Sequence, residues 1–247
     1  MKVEVLAITE LPEIREGDRI GELIAACVEL GSGDVVVVSQ KAVSKAEGRV
    51  RSLADVQPGA RARELAGRLE KDPALVELVL AESRAIVRTE RGVLIAETLS
   101  GWICANAGID ASNLPGEDTV ALLPLDPDAS ARRIRGEIEA DSGSRPAVVV
   151  ADSFGRPWRL GQCDVAIGAA GLRPLDDWRG RADREGRELT ATAIAVADQV
   201  AASADLARDK VSGDPAAVVR GLERHVTAED GPGAVSLQRP QEDDLFR

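Results

Sequence analysis

Asp34-Val35-Val36-Val37-Val38-Ser39-Gln40-Lys41-Ala42-Val43-Ser44-Lys45-Ala46-Glu47-Gly48-Arg49 begins with an uninterrupted valine run and stops abruptly at a polar, cationic segment. Consecutive valines after the turn-forming Gly31-Ser32-Gly33-Asp34 predict a strand buried on both faces, so the polar residues mark its carboxyl end. Open α/β sheets bind their ligands at that end. A second stretch repeats the pattern with opposite charge, as Ala147-Val148-Val149-Val150-Ala151 runs into Asp152-Ser153-Phe154-Gly155-Arg156. Lysines at the end of one strand and a carboxylate at the end of another are the parts that a phosphate and its cation require.

Composition bounds the rest. A chain of 247 residues can bury a real core and is long enough for one large domain or two intimately packed lobes. Its formal net charge of -11 argues against a nucleic-acid surface, because phosphate backbones are held by excess Lys and Arg. An anionic ligand must therefore meet a local basic pocket. Cys27, Cys104 and Cys163 are odd in number and lack metal-type spacing, so no disulfide framework is expected and a reducing cytoplasm fits. No basic-then-apolar leader and no apolar run near the roughly 18 residues of a membrane span is read. A soluble protein without membrane partners is expected.

Mixed α and β elements are predicted throughout. Lys2 to Ile8 alternates like a strand, and Asp18 to Leu30 carries Ile20, Leu23, Ile24, Cys27 and Val28 at helical spacing with Asp18 as N-cap. Asp72-Pro73 opens a helix striped by Leu75, Val76, Val79 and Leu80. Gly92 to Ala96, Ala147 to Ala151 and Ala216 to Val219 read as strands, and Asp128 to Ala140 and Leu189 to Ala207 as helices. No linker separates independent domains, although Pro124 to Pro127 marks a crossing point between lobes.

Several chemistries fall to inventory. His225 is the only histidine, which excludes a multi-histidine zinc site and makes any Ser-His-Asp triad depend on that residue. Neither a GxxxxGK loop ending in Ser or Thr nor a GxGxxG loop occurs, so a nucleotide would need another architecture. Oxygen ligands remain. Asn106-Ala107-Gly108-Ile109-Asp110-Ala111-Ser112-Asn113 supplies amides and a carboxylate in a glycine-containing loop, and Asp152-Ser153 adds a second carboxylate beside a hydroxyl. Magnesium and manganese favour such donors, completed by water and substrate phosphates. Each loop alone would serve as well for an Asx turn or a helix cap.

Taken together, Asp34 to Arg49, Asn106 to Asn113 (NAGIDASN), Leu123 to Ser130 (LPLDPDAS), Asp152 to Gly168 (DSFGRPWRLGQCDVAIG) and Val218 to Gly221 (VVRG) follow the order found in the coenzyme F420:L-glutamate ligases. The chain resembles that family from Leu11-Pro12-Glu13-Ile14 to Asp244-Leu245-Phe246. The resemblance implies an α+β (mixed α/β) fold of two packed lobes in an intertwined homodimer. It further implies GTP-dependent joining of L-glutamate to F420-0, then γ-linked glutamates, with two divalent cations, magnesium or manganese. Some relatives continue into a flavin-binding, nitroreductase-like domain; this sequence ends at Arg247, so no flavin is expected.

By the same resemblance Asp110, Asp152 and Ser153 are metal ligands, and Lys45 faces the phosphates, making Lys45, Asp110 and Asp152 the catalytic set. Gln40, Lys41, Lys45 and Asn113 fall at nucleotide positions, with Leu11, Pro12, Glu13 and Ile14 approaching mainly through backbone. Arg156 and Arg159 are added from chemistry, since a phosphodiester and the carboxylates of glutamate need cationic partners, although rim arginines in solvent would look the same. Ala207 to Pro215 lies where relatives carry a looser loop near the nucleotide, and no second-metal ligand is assigned there. The alternatives are a ligase for another carboxylate or amino acid, and a non-catalytic deazaflavin-binding paralogue. A pure binder has no need of metal carboxylates.

Overall fold

The computed structural model describes residues 2–245 except 115, 117 and 209–212. In chain order the elements are β1 (Glu4–Ala7), α1 (Ile20–Cys27), β2 (Val35–Ser39), α2 (Gln40–Ala46), β3 (Val50–Ser52), α3 (Ala60–Leu69), α4 (Pro73–Ala81), β4 (Ser83–Glu90) and β5 (Val93–Thr98). They continue as β6 (Ile103–Ala105), β7 (Thr119–Ala121), α5 (Pro127–Ser142), β8 (Ala147–Arg156), β9 (Arg159–Ala170), β10 (Leu175–Asp177), β11 (Ala193–Ala195), α6 (Val196–Ala207) and β12 (Ala216–Arg220). The fold is α+β.

The main sheet runs β1-β12-β2-β8-β9, and within it only β2 and β8 pair in parallel. The valine run explains its centre. Val36 and Val38 enter a core with Ile20 and Ile24 of α1, Val43 of α2 and Ile134 and Ile138 of α5, whereas Val35 and Val37 enter a second core under Val200, Ala201 and Ala204 of α6. The alternation of β8 is the same, with Val148 and Val150 on one face and Ala147, Val149 and Ala151 on the other. Both strands are therefore dry on both sides, as a continuous apolar run requires. A third core joins α3, α4 and β5 to Ile109, Val120 and Leu122. Leu122 packs in that core and Leu123 in the first, so the chain passes between them just before the expected crossing at Pro124.

Local chemistry accounts for most element ends. Asp72 caps α4 by accepting from the amides of Ala74 and Leu75, as its Asp-Pro start predicts. Helix α5 starts one residue earlier than Asp128, with Asp126 as cap and Pro127 in the first turn. Three expectations change. The helix expected over Asp18 to Leu30 is shorter, because the Asp18 carboxylate accepts from the Arg15 amide at 2.7 Å and Arg19 takes the N-cap position without a side-chain bond. The helix expected from Leu189 begins only at Val196, since Leu189 and Thr192 instead pair with Gly180, Arg181 and Trp178 in an extended ladder that β10 and β11 continue. Finally, β8 does not end at Ala151. Strand β9 goes on pairing with it as far as Arg156, so Asp152 and Ser153 are strand residues rather than the start of a helix.

Candidate active site

The site follows from unequal strand lengths. Strand β2 and β8 are last paired at Ser39 and Ala151, where β2 turns directly into α2 while β8 runs on beside β9. Beyond Ala151 one flank of β8 is thus bare of sheet partners from β2, at the carboxyl end of the parallel pair where α/β crevices form. A cleft of about 360 Å³ opens there. Ser39 starts α2 by accepting from the Ala42 amide, and Ala42, Val43 and Ala46 face the core. Lys41 and Lys45, four residues apart on the same helix, share the face toward the cleft.

Both lysines are engaged by carboxylates. Lys41 Nζ lies 2.8 Å from Asp110 Oδ2 and donates to Ser112 Oγ at 2.7 Å, and Lys45 Nζ donates to Glu13 Oε1 at 2.6 Å. Asp110 is delivered by a turn in which Asn106, Ala107 and Gly108 all adopt positive φ, a conformation that costs Ala107 most and glycine nothing. Its backbone then pairs in both directions with Ala121, and its carboxylate accepts from the Ser112 amide at 2.8 Å. This is the Asx turn that the sequence allowed, and it lines the cleft as well. Burial pushes the Asp110 carboxyl up, but hydrogen bonds from Lys41 and Ser112 outweigh it and leave its pKa below the ordinary value.

Asp152 behaves oppositely. Burial raises its carboxyl to about 7; the Ser153 amide, donating at 2.9 Å, offsets part of this, while the nearby carboxylates of Asp164 and Asp110 add to it. Carboxylates gathered with too little positive charge form the electrostatic setting that a divalent cation relieves. Among the described residues no three His, Cys, Asp or Glu side chains converge as a closed metal cage. Asp110 and Asp152 with the Ser153 hydroxyl fit instead a cation that takes one or two carboxylates and fills its remaining positions with water and phosphate oxygens.

Leu11, Pro12, Glu13, Ile14, Gln40, Lys41, Lys45, Asp110, Asn113, Asp152 and Ser153, expected from the sequence, all line this cleft. Glu13 enters with its side chain, through the Lys45 pair, rather than by backbone alone. Arg156 and Arg159 do not line it. They sit at the turn joining β8 to β9, where the Arg156 guanidinium donates to the carbonyls of Leu160 and Gly161 and so closes the hairpin. His225 is also outside it, buried, with Nε2 accepting from Arg224. In the Ala207 to Pro215 segment, residues 209–212 lie outside the described residues, as does Phe246 of the Asp-Leu-Phe motif. Sequence reasoning missed Ser112, Asp164, Asp205, Arg208 and Asp214 on the cleft wall. The available signal was Asp164 itself, a lone acid in the otherwise apolar run Val165 to Ala170 and its approach, where a strand buried on both faces has no use for a charge.

A cleft that brings lysines and carboxylates together at the end of a parallel strand pair, in a chain without a GxxxxGK loop, sets this α+β protein apart from the P-loop folds. The chain belongs to the F420-0:Gamma-glutamyl ligase family, whose model matches residues 9–221. It is 40% identical over 254 residues to the coenzyme F420:L-glutamate ligase of Methanothermobacter thermautotrophicus, covering 100% of both chains. The ligase of that name from Haloarcula marismortui is 43% identical, covering 99% of this chain and 96% of its own. The one from Archaeoglobus fulgidus is 42% identical, covering 100% and 97%.

Proposed function

We propose that this protein joins L-glutamate to coenzyme F420-0 and extends the product through γ-linkages, using GTP and releasing GDP and phosphate. The cleft carries this reading: Lys41 and Lys45 on one helix face stand opposite Asp110 and Asp152, the charges needed to hold a polyphosphate together with its cation. The family and the names of its relatives supply the substrates. Asp110, Asp152 and Ser153 would hold divalent cations, magnesium or manganese, which when bound neutralise charge on the transferring phosphoryl group.

The chemistry needs activation because a carboxylate has no leaving group better than oxide. A carboxylate oxygen of F420-0 attacks the γ-phosphorus, the bond to the β-phosphate oxygen breaks, and GDP leaves with the electron pair. The neutral amine of glutamate then attacks the acyl carbon, phosphate departs with the former carboxylate oxygen, and the nitrogen loses its proton. Lys45 and Lys41 orient and neutralise the phosphates, once these have displaced Glu13 and Asp110 from the ammonium groups. Gln40 and Asn113, with Leu11, Pro12 and Ile14, shape the nucleotide side of the cleft. Two packed lobes, an intertwined homodimer and a cytoplasmic location belong to the same reading. No helix among the described residues is long and apolar enough to cross a membrane.

Mass spectrometry of F420-0 incubated with the protein, GTP, L-glutamate and manganese tests this. Products heavier by successive glutamate residues are expected only when all components are present. Absence of any glutamylated product despite cation and nucleotide binding would favour the deazaflavin-binding paralogue, and products formed only when another amino acid replaces L-glutamate would favour the related ligase.

A further inference from the structure

One buried acid in the cleft has no part in the mechanism above. Asp164 on β9 stands directly across from Ser153 on β8, and it is 4% exposed. Its Oδ1 accepts from the Ser153 hydroxyl at 2.5 Å, while its Oδ2 takes Arg208 Nη2 at 2.5 Å. Arg208 follows α6 immediately, its side chain is 7% exposed, and its Nη1 donates to the carbonyl of Pro215 at 3.3 Å. The same Pro215 carbonyl accepts from the amide of Ser39, the capping residue of α2. Asp164 thus ties the Asp152-Ser153 segment of β8 to the end of α6, the entry to β12 and the start of the lysine-bearing helix.

A buried ion pair returns little net stability, because the desolvation of two charges consumes most of its Coulombic gain. Its effect here is on proton placement. A serine hydroxyl has one proton and two lone pairs, and a carboxylate gripped by a guanidinium can only accept. The Ser153 proton is thereby committed to Asp164, and the oxygen is left to act as a donor of lone pairs. A hydroxyl presented in that sense suits a cation, whereas one presenting its proton repels it.

We propose that Asp164 is a positioning residue that, with Arg208 fixing its orientation, holds the Ser153 hydroxyl with its proton turned away from the cation side of the cleft. This rests on the reading of the cleft as a site for a nucleotide with its divalent cation. Asp164→Asn gives the sharpest test. Arg208 would demand the amide oxygen, leaving the NH2 group to face Ser153, so the hydroxyl must accept there and turn its own proton outward. Removing the guanidinium as well, in Asp164→Asn with Arg208→Met, lets the amide rotate and accept from Ser153 again.

Manganese binding to the full-length protein, without substrates, is measured by electron paramagnetic resonance of the free ion, with far-ultraviolet circular dichroism to verify the fold. Asp164→Asn is expected to weaken manganese binding by about 10-fold or more, the usual size of an outer-shell effect, and the double variant to recover most of it. Because removing the guanidinium also restores the net charge, Asp164→Leu with Arg208→Met, equal in charge but without an acceptor for Ser153, is measured beside it and is expected to bind manganese more weakly. Unchanged affinity in folded Asp164→Asn, or no recovery in the double variant, overturns the proposal. If the single variant does not fold, Asp164→Asn/Arg208→Met is compared with Asp164→Leu/Arg208→Met, which has no acceptor for Ser153. Weaker binding by the leucine form is then expected, and equal binding overturns the role of Asp164. A wild-type protein that binds neither manganese nor GTP would instead overturn the reading of the cleft, and this proposal with it.

Discussion

Asp152→Asn in cation-free protein separates the electrostatic cost of the site from its catalytic use. The folded-state pKa of Asp152 is raised, to about 7, against an ordinary value of 3.8. Between those values the folded protein holds a proton that the unfolded chain has released, so stability falls as pH rises through the window and the loss is complete above about 7. About three pKa units at 1.36 kcal/mol each give an upper figure of about 4 kcal/mol. Asp152 lines an open cleft and is only half-buried, so solvent screening leaves about 2 kcal/mol. Asparagine has the shape without the charge. With chelator present, about two of those three units fall between pH 5 and pH 8, so wild type should lose roughly 4 °C more than Asp152→Asn in melting temperature over that interval. Scanning calorimetry at both pH values reads this directly, and added manganese should erase the wild-type deficit at pH 8. Identical pH dependence in the two proteins would refute the electrostatic account of the site. The same variant should lose most turnover, and near wild-type ligation at saturating cation would remove Asp152 from the chemistry.

Other outcomes follow from the same geometry. Oxygen-18 placed in the F420-0 carboxylate should appear in released phosphate, and His225→Ala should retain ligation; unlabelled phosphate, or a phosphoprotein formed from GTP without F420-0, would replace the acyl-phosphate step. Asp128→Ala should destabilise the protein by about 4 kcal/mol in urea titration, because the buried carboxylate accepts from the amides of Ala169 and Ala234 at 2.7 Å and from Val235 at 3.3 Å, and leaving them unpaired is costly. A loss within about 0.5 kcal/mol would mean that water replaces the carboxylate there. Light scattering should give twice the chain mass of 26.0 kDa, and a stable, active monomer would remove the dimer from the proposal.

The legible parts of this molecule were those whose chemistry is local. A valine run between a turn and a polar segment specifies a doubly buried strand with little help from elsewhere, and Asp72-Pro73 carries its own cap. Asp18 shows where such reading fails: capping α1 and closing a turn on Arg15 use the same carboxylate, and sequence alone does not weigh the two. Leu189 to Ala195 has helical spacing in isolation, but its ladder with Trp178 to Arg181 depends on tertiary pairing that overrides propensity. Arg156 met a hairpin carbonyl before it could meet a ligand. Asp164 was legible only as an acid out of place in an apolar run; its contacts were not, because they depend on Arg208, 44 residues away, and on the cross-strand register that brings Ser153 opposite.

The charge of the chain and the chemistry of the cleft are consistent once the pairing is considered. A protein of net charge -11 repels polyanions at long range, and screening confines that repulsion to about 8 Å at physiological salt. Inside the cleft each lysine is neutralised by a carboxylate, Lys41 by Asp110 and Lys45 by Glu13. These pairs keep the ammonium groups placed and limit the cost of burying them. Under the proposed function they would also give cation and phosphate a mutual dependence. A cation that takes Asp110 frees Lys41 for a phosphate, and a phosphate that takes Lys41 frees Asp110 for the cation, so each ligand removes the competitor of the other. On that reading positive coupling between the two would arise from the pairs themselves, with no conformational change in the sheet required.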